Sequence, residues 1–143
     1  MSRGNGIGWR ALGLVLGLFS AASAAEVVAV VSAKSAVTAL TKNQVADIFL
    51  GRASRFPDGE QALPVDQAEG STAREEFYST YAGRSPSQVK AHWAKIIFTG
   101  RGRPPEEVAN GAELKKLLDR NIHAIGYIER SSADSALRVV RVE

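Results

Sequence analysis

The order of apolar and polar stretches along residues 26–143 predicts short strands that alternate with helices. Glu26 to Ser32 reads EVVAVVS, and this almost continuous β-branched run predicts a strand that is covered on both faces. A capping box at Thr41 to Gln44 predicts a helix that ends at Gly51. Gln61 to Val65 predicts a second strand. The first half of the chain is therefore predicted to be strand, helix and strand.

The second half of the chain continues the same alternation. One helix is predicted to begin near Thr72, and another is predicted to begin after the capping box from Ser85 to Gln88. The stripe of the latter helix that is expected to face the core is Val89, Trp93, Ile96 and Ile97. Leu114, Leu117 and Leu118 predict a later amphipathic turn, and Ala124 to Ile128 and Leu137 to Val142 predict two closing strands. Interleaved strands and helices predict an α/β domain with a small mixed sheet flanked by helices.

The first residues have the pattern of a cleavable export signal. Arg3 and Arg10 supply positive charge, and Ala11 to Phe19 is a short apolar run. Ala22-Ser23-Ala24 then gives small residues at the spacing of a cleavage site. We therefore expect residues 1–24 to be a signal peptide, residues 25–143 to form one domain, and the protein to be periplasmic. The alternative is that the segment is retained as an N-terminal anchor.

The amino-acid composition argues against several classes of function. The chain has 18 Lys and Arg against 15 Asp and Glu, but two of the cations belong to the predicted signal, so the remaining charge is nearly balanced. No basic stripe with interleaved aromatic residues is present, which argues against a nucleic-acid partner. There is no Cys and no motif of a known nucleophile or phosphate loop, and the two His are isolated. We therefore expect no catalysis, no metal and no cofactor.

The stretch from Leu63 to Phe77, LPVDQAEGSTAREEF, is a predicted strand, a polar turn and the start of a helix. The first amides of a helix have no intrahelical partner, and the helix dipole makes this end positive. Gly70 lets the backbone approach a ligand closely, and the hydroxyls of Ser71 and Thr72 can donate hydrogen bonds. Arg74 lies in the first turn, where the dipole disfavours a cation unless an anion binds nearby. The stretch therefore predicts an anion-binding site.

The same residues also fit an ordinary helix cap. Ser71 or Thr72 can be the N-cap, and Thr72 and Glu75 have the spacing of a capping box. Asp66 and Glu69 would repel an anion, unless one of these carboxylates accepts the proton of a monoprotonated oxyanion or orients the nearby arginine. Both interpretations remain open at the level of sequence.

A second candidate site follows the first strand. Ser32, Lys34 and Ser35 stand at the carboxyl end of that strand, where open α/β sheets place their ligands. The alternative is an ordinary polar exit from a strand into a loop.

Three segments together resemble a known family. They are LTKNQVADIFLG from Leu40 to Gly51, AEGST from Ala68 to Thr72 behind a strand, and AIGY from Ala124 to Tyr127, in this order. The chain is similar to the periplasmic phosphate-binding protein of the high-affinity phosphate ABC importer, which has the type 2 periplasmic-binding fold. It looks like the short, single-domain exported relatives in that family. The resemblance implies a single lobe of that fold, a phosphate ligand and an ABC permease as a partner.

The family's ligand residues carry over only in part. Ser71 falls on the family's phosphate-binding serine, whereas Thr72 stands where the family has Gly and Ala73 where it has a phosphate-binding Thr. Gln67 stands where the family commonly has an Arg that pairs with phosphate, and Arg74 is the cation that could replace it. The ligands of the other lobe are echoed only by the candidate residues after the first strand.

We therefore expect an exported, non-catalytic protein that holds phosphate or a similar oxyanion at the helix start from Gly70 to Arg74. The alternative is an interaction or structural module that keeps the fold, has lost the ligand site and docks another envelope protein.

Overall fold

Seven strands and four helices follow one another along residues 26–143, which are the residues that the computed structural model describes. The strands are β1 (Val27–Ser32), β2 (Ala39–Leu40), β3 (Leu63–Gln67), β4 (Glu106–Val108), β5 (Ala124–Glu129), β6 (Leu137–Val139) and β7 (Arg141–Val142). The helices are α1 (Lys42–Phe49), α2 (Thr72–Ala82), α3 (Pro86–Phe98) and α4 (Gly111–Arg120), and a 3-10 turn occupies Arg130–Ser132. None of the described helices has the length and hydropathy needed to cross a membrane. The predicted signal peptide, residues 1–24, lies outside the described residues.

The main sheet has five strands in the order β4-β3-β5-β1-β6. Strand β3 is parallel to both of its neighbours, with Leu63 opposite Ala124 on β5. Strand β1 is antiparallel to β5 and β6, with Val27 opposite Glu129. Because β1 runs against β3 and β5, its carboxyl end lies at the edge of the sheet where those two strands begin. The carboxyl ends of β1 and β3 are therefore at opposite edges.

Helices cover both faces of this sheet. Alternate residues of β1 point to opposite faces, so Ala29 and Val31 join the core under α1 and α2 while Val28 and Val30 join the core under α4. The first core is rich in aromatic rings: Phe49, Phe77, Tyr78, Tyr81 and Tyr127. The ring of Phe77 stacks on that of Tyr127, with centroids 4.1 Å apart and an interplanar angle of 8°. All six residues of β1 are buried, which confirms the predicted strand covered on both faces.

Three elements differ from the predictions. Strand β3 extends to Gln67 instead of ending at Val65, because the polar Asp66 and Gln67 are buried and find hydrogen-bond partners inside the protein. The closing run from Leu137 to Val142 is two strands, because after Val139 the chain leaves the main sheet to pair with β2 in a second, two-stranded sheet. Ile97 is 54% exposed and not part of the core stripe, since α3 is buried mainly through Val89 and Trp93.

Helix α4 packs so closely on β5 that the interface has no room for a methyl group at Gly126. A Cβ at this position would lie 2.5 Å from Cδ1 and 2.8 Å from Cδ2 of Leu114, a fully buried side chain. We expect Gly126→Ala to lower the free energy of unfolding by about 1–3 kcal/mol, since overpacking forces the helix away from the sheet. Gly111→Ala is the matched control, because its Cβ would meet Ile128 at an ordinary 3.6 Å. Urea unfolding measures both, and equal stabilities would contradict the prediction.

Candidate functional site

The start of α2 lies directly beyond the carboxyl end of β3. Gly70 adopts a φ of 90°, in the left-handed region that glycine tolerates, and so turns the chain from the strand into the helix. Ser71 is the N-cap, and its Oγ accepts a hydrogen bond from the N–H of Arg74 at 3.3 Å. The capping interpretation is therefore correct for the Ser71 hydroxyl. The capping box suggested for Thr72 and Glu75 is not formed, because Thr72 is already the first residue of the helix.

The cap leaves two amides of the first turn without partners. The N–H of Ser71 donates to the carbonyl of Ala68, and the N–H of Glu75 donates to the carbonyl of Ser71, each at 3.1 Å. The amides of Thr72 and Ala73 have no acceptor among the described residues. Free amides at a helix N-terminus, where the dipole is positive, are the groups that bind anions in proteins. A cap and an anion site can therefore coexist here, since they use different donors.

Arg74 is engaged with its own strand. One of its terminal nitrogens donates to the carbonyl oxygen of Gln67 at 2.9 Å and lies 3.5 Å from the Glu107 carboxylate. Its Nε lies 3.9 Å from Oδ1 of Asp66, and its guanidinium carbon is 5.8 Å from the centre of the Tyr78 ring. Of the two roles considered for a nearby carboxylate, orienting Arg74 is therefore the one that this geometry supports for Asp66. Direct contact between Arg74 and an anion stays a prediction.

Asp66 is the centre of a buried hydrogen-bond network. The Tyr78 hydroxyl donates to its Oδ2 at 2.6 Å, and the Tyr127 hydroxyl donates to its Oδ1. The N–H of Gln67 also donates to Oδ1, and the Gln67 side-chain amide donates to the carbonyl of Tyr127 at 2.7 Å. The network ties β3 to α2 and β5, so it holds the strand that leads into the candidate site.

Burial sets the protonation behaviour of this network. Loss of solvent raises the pKa of Asp66 above its usual value, although the two tyrosine hydroxyls and Arg74 act in the opposite direction. Burial, and after it the negative charge of Asp66, raises the pKa of both Tyr78 and Tyr127, which keeps the two hydroxyls protonated as donors. Burial is the largest single influence on the pKa of Arg74 and lowers it, but Asp66, Tyr78, Tyr127 and Glu107 together outweigh burial, so the pKa is raised.

The second candidate site lies elsewhere. Ser32, Lys34 and Ser35 follow the carboxyl end of β1, at the edge of the sheet where β3 begins. The length of β3 separates that edge from the α2 start by about 13 Å. The Ser32 and Ser35 hydroxyls accept from the N–H groups of Lys34 and Val37, both at 3.2 Å, which makes them turn-stabilising residues. These three residues therefore do not share an edge of the sheet with the start of α2, because β1 runs antiparallel to β3, and their role in ligand binding stays a prediction.

Two lysines near the α2 start were not anticipated from the sequence. A cavity of about 490 Å³ is lined by Gln67 and Ala73 together with Lys115 and Lys116 of α4. Both lysines have acidic neighbours, Lys115 with Asp134 at 3.6 Å and Lys116 with Glu113 at 3.2 Å. No local motif could have placed them, since they depend on how α4 packs across the sheet. Residues 26–143 contain no cluster of side chains arranged to hold a metal ion.

Comparison with solved structures identifies the fold. A protein from Clostridium perfringens, assigned as a phosphate ABC transporter substrate-binding protein and solved with bound phosphate, superposes with a TM-score of 0.65 at 21% identity over 81% of this chain. An ABC-type phosphate transport receptor from Vibrio cholerae superposes with a TM-score of 0.62 at 20% identity over 80% of this chain. The chain has the fold of one lobe of a periplasmic binding protein. This confirms the predicted fold class.

The lobe spans 44% of the length of each of these two proteins. No protein family matches the chain by sequence, and no curated protein does so. The similarity therefore establishes the architecture of the lobe, while the ligand and the individual binding residues have to be argued from the site itself.

Proposed function

We propose that this lobe is an exported, non-catalytic solute-binding protein that holds phosphate or a similar oxyanion at the start of α2. The observation that carries the proposal is the pair of free amides, Thr72 and Ala73, directly after the left-handed Gly70. Export rests on the signal-like pattern of residues 1–24. Similarity in fold to proteins named for phosphate transport supports the same class of ligand.

The surroundings of the two amides fit a small anion. The Ser71 hydroxyl caps the helix, and Lys115 and Lys116 line the same cavity as Ala73. Arg74 adds positive charge within the first turn, although its guanidinium also joins α2 to β3. Gln67 stands at the position of the family's arginine. Its side-chain amide donates a hydrogen bond to the carbonyl of Tyr127, so this side chain stabilises the fold. Most of the attraction therefore comes from backbone amides and from the helix dipole.

The affinity for phosphate should be modest, because the attraction comes mainly from backbone amides and the helix dipole. Contacts that the dipole favours at an exposed helix end are worth about 0.3–1 kcal/mol each. A lobe that donates from one side does not enclose its ligand, so water and salt weaken the interaction. We expect a dissociation constant of about 0.1–10 mM for phosphate, which corresponds to about −3 to −5.5 kcal/mol. Pairing with an ABC permease, or with another envelope protein, remains a prediction from the resemblance.

Substitution at Thr72 separates the backbone amide from the side chain. Proline is well tolerated at the first position of a helix but has no N–H, so Thr72→Pro should preserve α2 and remove one of the two donors. We expect phosphate to bind about 3- to 10-fold more weakly to this variant, since one charge-assisted hydrogen bond is lost at an exposed site. Calorimetry and the shifts of the amide signals on titration with phosphate measure the change.

Thr72→Ala is the matched control, because it removes the hydroxyl and keeps the amide. It should bind phosphate nearly as well as the natural protein. If phosphate shifts neither the Thr72 nor the Ala73 amide at tens of millimolar, the helix start is only a cap. The lobe would then be better explained as an interaction module of the envelope.

A further inference from the structure

Helix α3 ends in an exposed apolar tip. Phe98, the last residue of the helix, is 92% exposed, and Ile97 is 54% exposed. No other large apolar side chain among residues 26–143 is more than 48% exposed. Single exposed apolar residues are ordinary on protein surfaces, but two large neighbours exposed to this degree make a candidate binding surface. A phenylalanine ring with so little cover projects into solvent.

The loop after α3 is held against the end of the helix. The N–H of Arg101 donates to the carbonyl of Ile96 at 3.2 Å, and Gly100 adopts a φ of 65°, so the chain reverses direction in a Schellman-type turn. A Cβ on Gly102 would lie 3.4 Å from the Ile96 side chain, which shows how closely the loop follows the helix. The cations of this loop are therefore kept beside Phe98.

Positive charge is concentrated around this tip. The stretch from Lys90 to Arg103 contains four cations and no carboxylate, whereas the rest of residues 26–143 has 12 Lys and Arg against 15 Asp and Glu. Lys90 lies 3.9 Å from Glu69. Lys95, Arg101 and Arg103 are exposed and take part in none of the ion pairs found within the described part of the chain. Three cations at the tip are therefore left for an outside anion.

An apolar point among unpaired cations is complementary to an anionic lipid bilayer. The ring of Phe98 can enter the boundary between headgroups and acyl chains, while the cations bind the lipid phosphates around it. Long cationic side chains lay their stems on apolar surface and keep their charge in water, which suits this boundary. A bilayer also deforms around a projecting ring, whereas a protein partner needs a pocket of matching shape. The observations therefore favour a lipid surface.

We propose that the α3 tip, which consists of Lys95, Ile97, Phe98, Arg101 and Arg103, docks this protein on bilayers that contain anionic phospholipid. The ring of Phe98 enters the interface, and the three cations bind lipid phosphates. This inference goes beyond the proposed function, because no residue of the α3 tip belongs to the anion site at the start of α2.

Sedimentation of the purified protein with lipid vesicles tests the proposal. We expect binding to vesicles of mixed phosphatidylglycerol and phosphatidylcholine to be at least about tenfold stronger than binding to phosphatidylcholine alone. Added salt should weaken it, since exposed charges are screened. Inorganic phosphate should weaken it no more than sodium chloride of the same ionic strength, because a free anion gives the ring no apolar phase to enter.

Two sets of variants locate the contact. Phe98→Ala should weaken binding to the anionic vesicles about tenfold, since the ring no longer leaves water. Arg101→Gln combined with Arg103→Gln should weaken it about 25-fold, because each cation near an anionic surface contributes about fivefold. Lys42→Gln combined with Arg120→Gln is the matched control. It removes the same charge from exposed positions outside the α3 tip and should change binding less than about twofold.

Phe98→Trp reports directly on the depth of the ring. Trp93 is 7% exposed, so its emission is that of a buried indole and forms a constant background. The new indole begins in water, and its emission should shift to the blue with the anionic vesicles and stay unchanged with phosphatidylcholine. Brominated acyl chains should quench it.

The outcomes separate this inference from the proposed function. Equal binding to both kinds of vesicle, or anionic binding that survives Phe98→Ala and the double arginine variant, overturns the lipid surface. An equal loss in the control variant would mean that net charge alone attracts the protein, and self-association that Phe98→Ala abolishes, without vesicle binding, would make the tip a protein contact; both results also overturn it. Phe98→Ala should leave phosphate affinity unchanged, so a failure of phosphate binding bears only on the proposed function.

Discussion

Asp66→Ala is expected to lower the free energy of unfolding by about 3–5 kcal/mol, the range typical of removing one partner from a buried ionic network. Asp66 is 3% exposed and accepts from two tyrosine hydroxyls. Its removal leaves those hydroxyls without an acceptor and Arg74 without its nearest buried carboxylate. Since β3 leads directly into the start of α2, weaker phosphate binding should accompany the loss of stability. Urea unfolding and a phosphate titration measure the two effects.

Glu107→Ala is the control for this prediction. Glu107 also lies near Arg74, but its side chain is 52% exposed, and such pairs contribute at most about 1 kcal/mol. Asp66→Asn should cost less than Asp66→Ala, because an amide oxygen can still accept one hydroxyl. If Asp66→Ala is no worse than Glu107→Ala, the network does not hold β3 in place.

The pH dependence of Asp66→Asn has a definite sign. The folded-state pKa of Asp66 is raised, so this group's contribution to stability is fully present below its unfolded pKa and is lost as pH rises through the folded value. The difference in stability between the natural protein and Asp66→Asn should therefore be larger near pH 4 than at pH 7.

The backbone architecture was predictable because it depends on local patterns. The continuous apolar run of β1 indicated a strand between two layers, and two capping boxes marked the starts of α1 and α3. Each of these signals acts within a few residues, so the sequence displays it directly. The resemblance to one lobe of a binding protein then followed from three such segments in order.

The arrangement of the site was less predictable, because it depends on which way strands run. Ser32 and Lys34 lie at the opposite edge of the sheet from the start of α2 because β1 runs antiparallel to β3, and no residue in β1 encodes that direction. The burial of Asp66 was hidden for a similar reason, since its partner Tyr127 is 61 residues away in the chain. A polar pair after an apolar strand resembles the beginning of a turn until its distant partners are known.

All three tyrosines of the chain should resist ionisation until the protein unfolds. Burial raises the pKa of Tyr78, Tyr81 and Tyr127 above the usual value of 10.0. Tyrosines in the unfolded chain ionise near pH 10, whereas the folded protein keeps these protons. Their contribution to stability is therefore complete below pH 10 and is lost as pH rises above it.

The expected loss above pH 10 is large. Each tyrosine that stays protonated only in the folded state contributes a slope of about 1.4 kcal/mol per pH unit, so Tyr78 and Tyr127, whose pKa values are raised most, give about 3 kcal/mol per unit. A domain with a stability of about 5–15 kcal/mol should then unfold cooperatively within a few pH units of 10. Tyrosinate absorbance and far-ultraviolet circular dichroism should change together in one transition.

Tyr81→Phe provides the check. The Tyr81 hydroxyl accepts from the N–H of Ala29 and lies outside the Asp66 network, so the variant should keep that network and most of the alkaline slope. Tyrosinate absorbance that rises near pH 10 while the circular dichroism remains native would contradict the prediction. It would mean that water reaches Tyr78 or Tyr127 in the folded state, and that the carboxylate beneath the proposed anion site is hydrated rather than held by two hydroxyls.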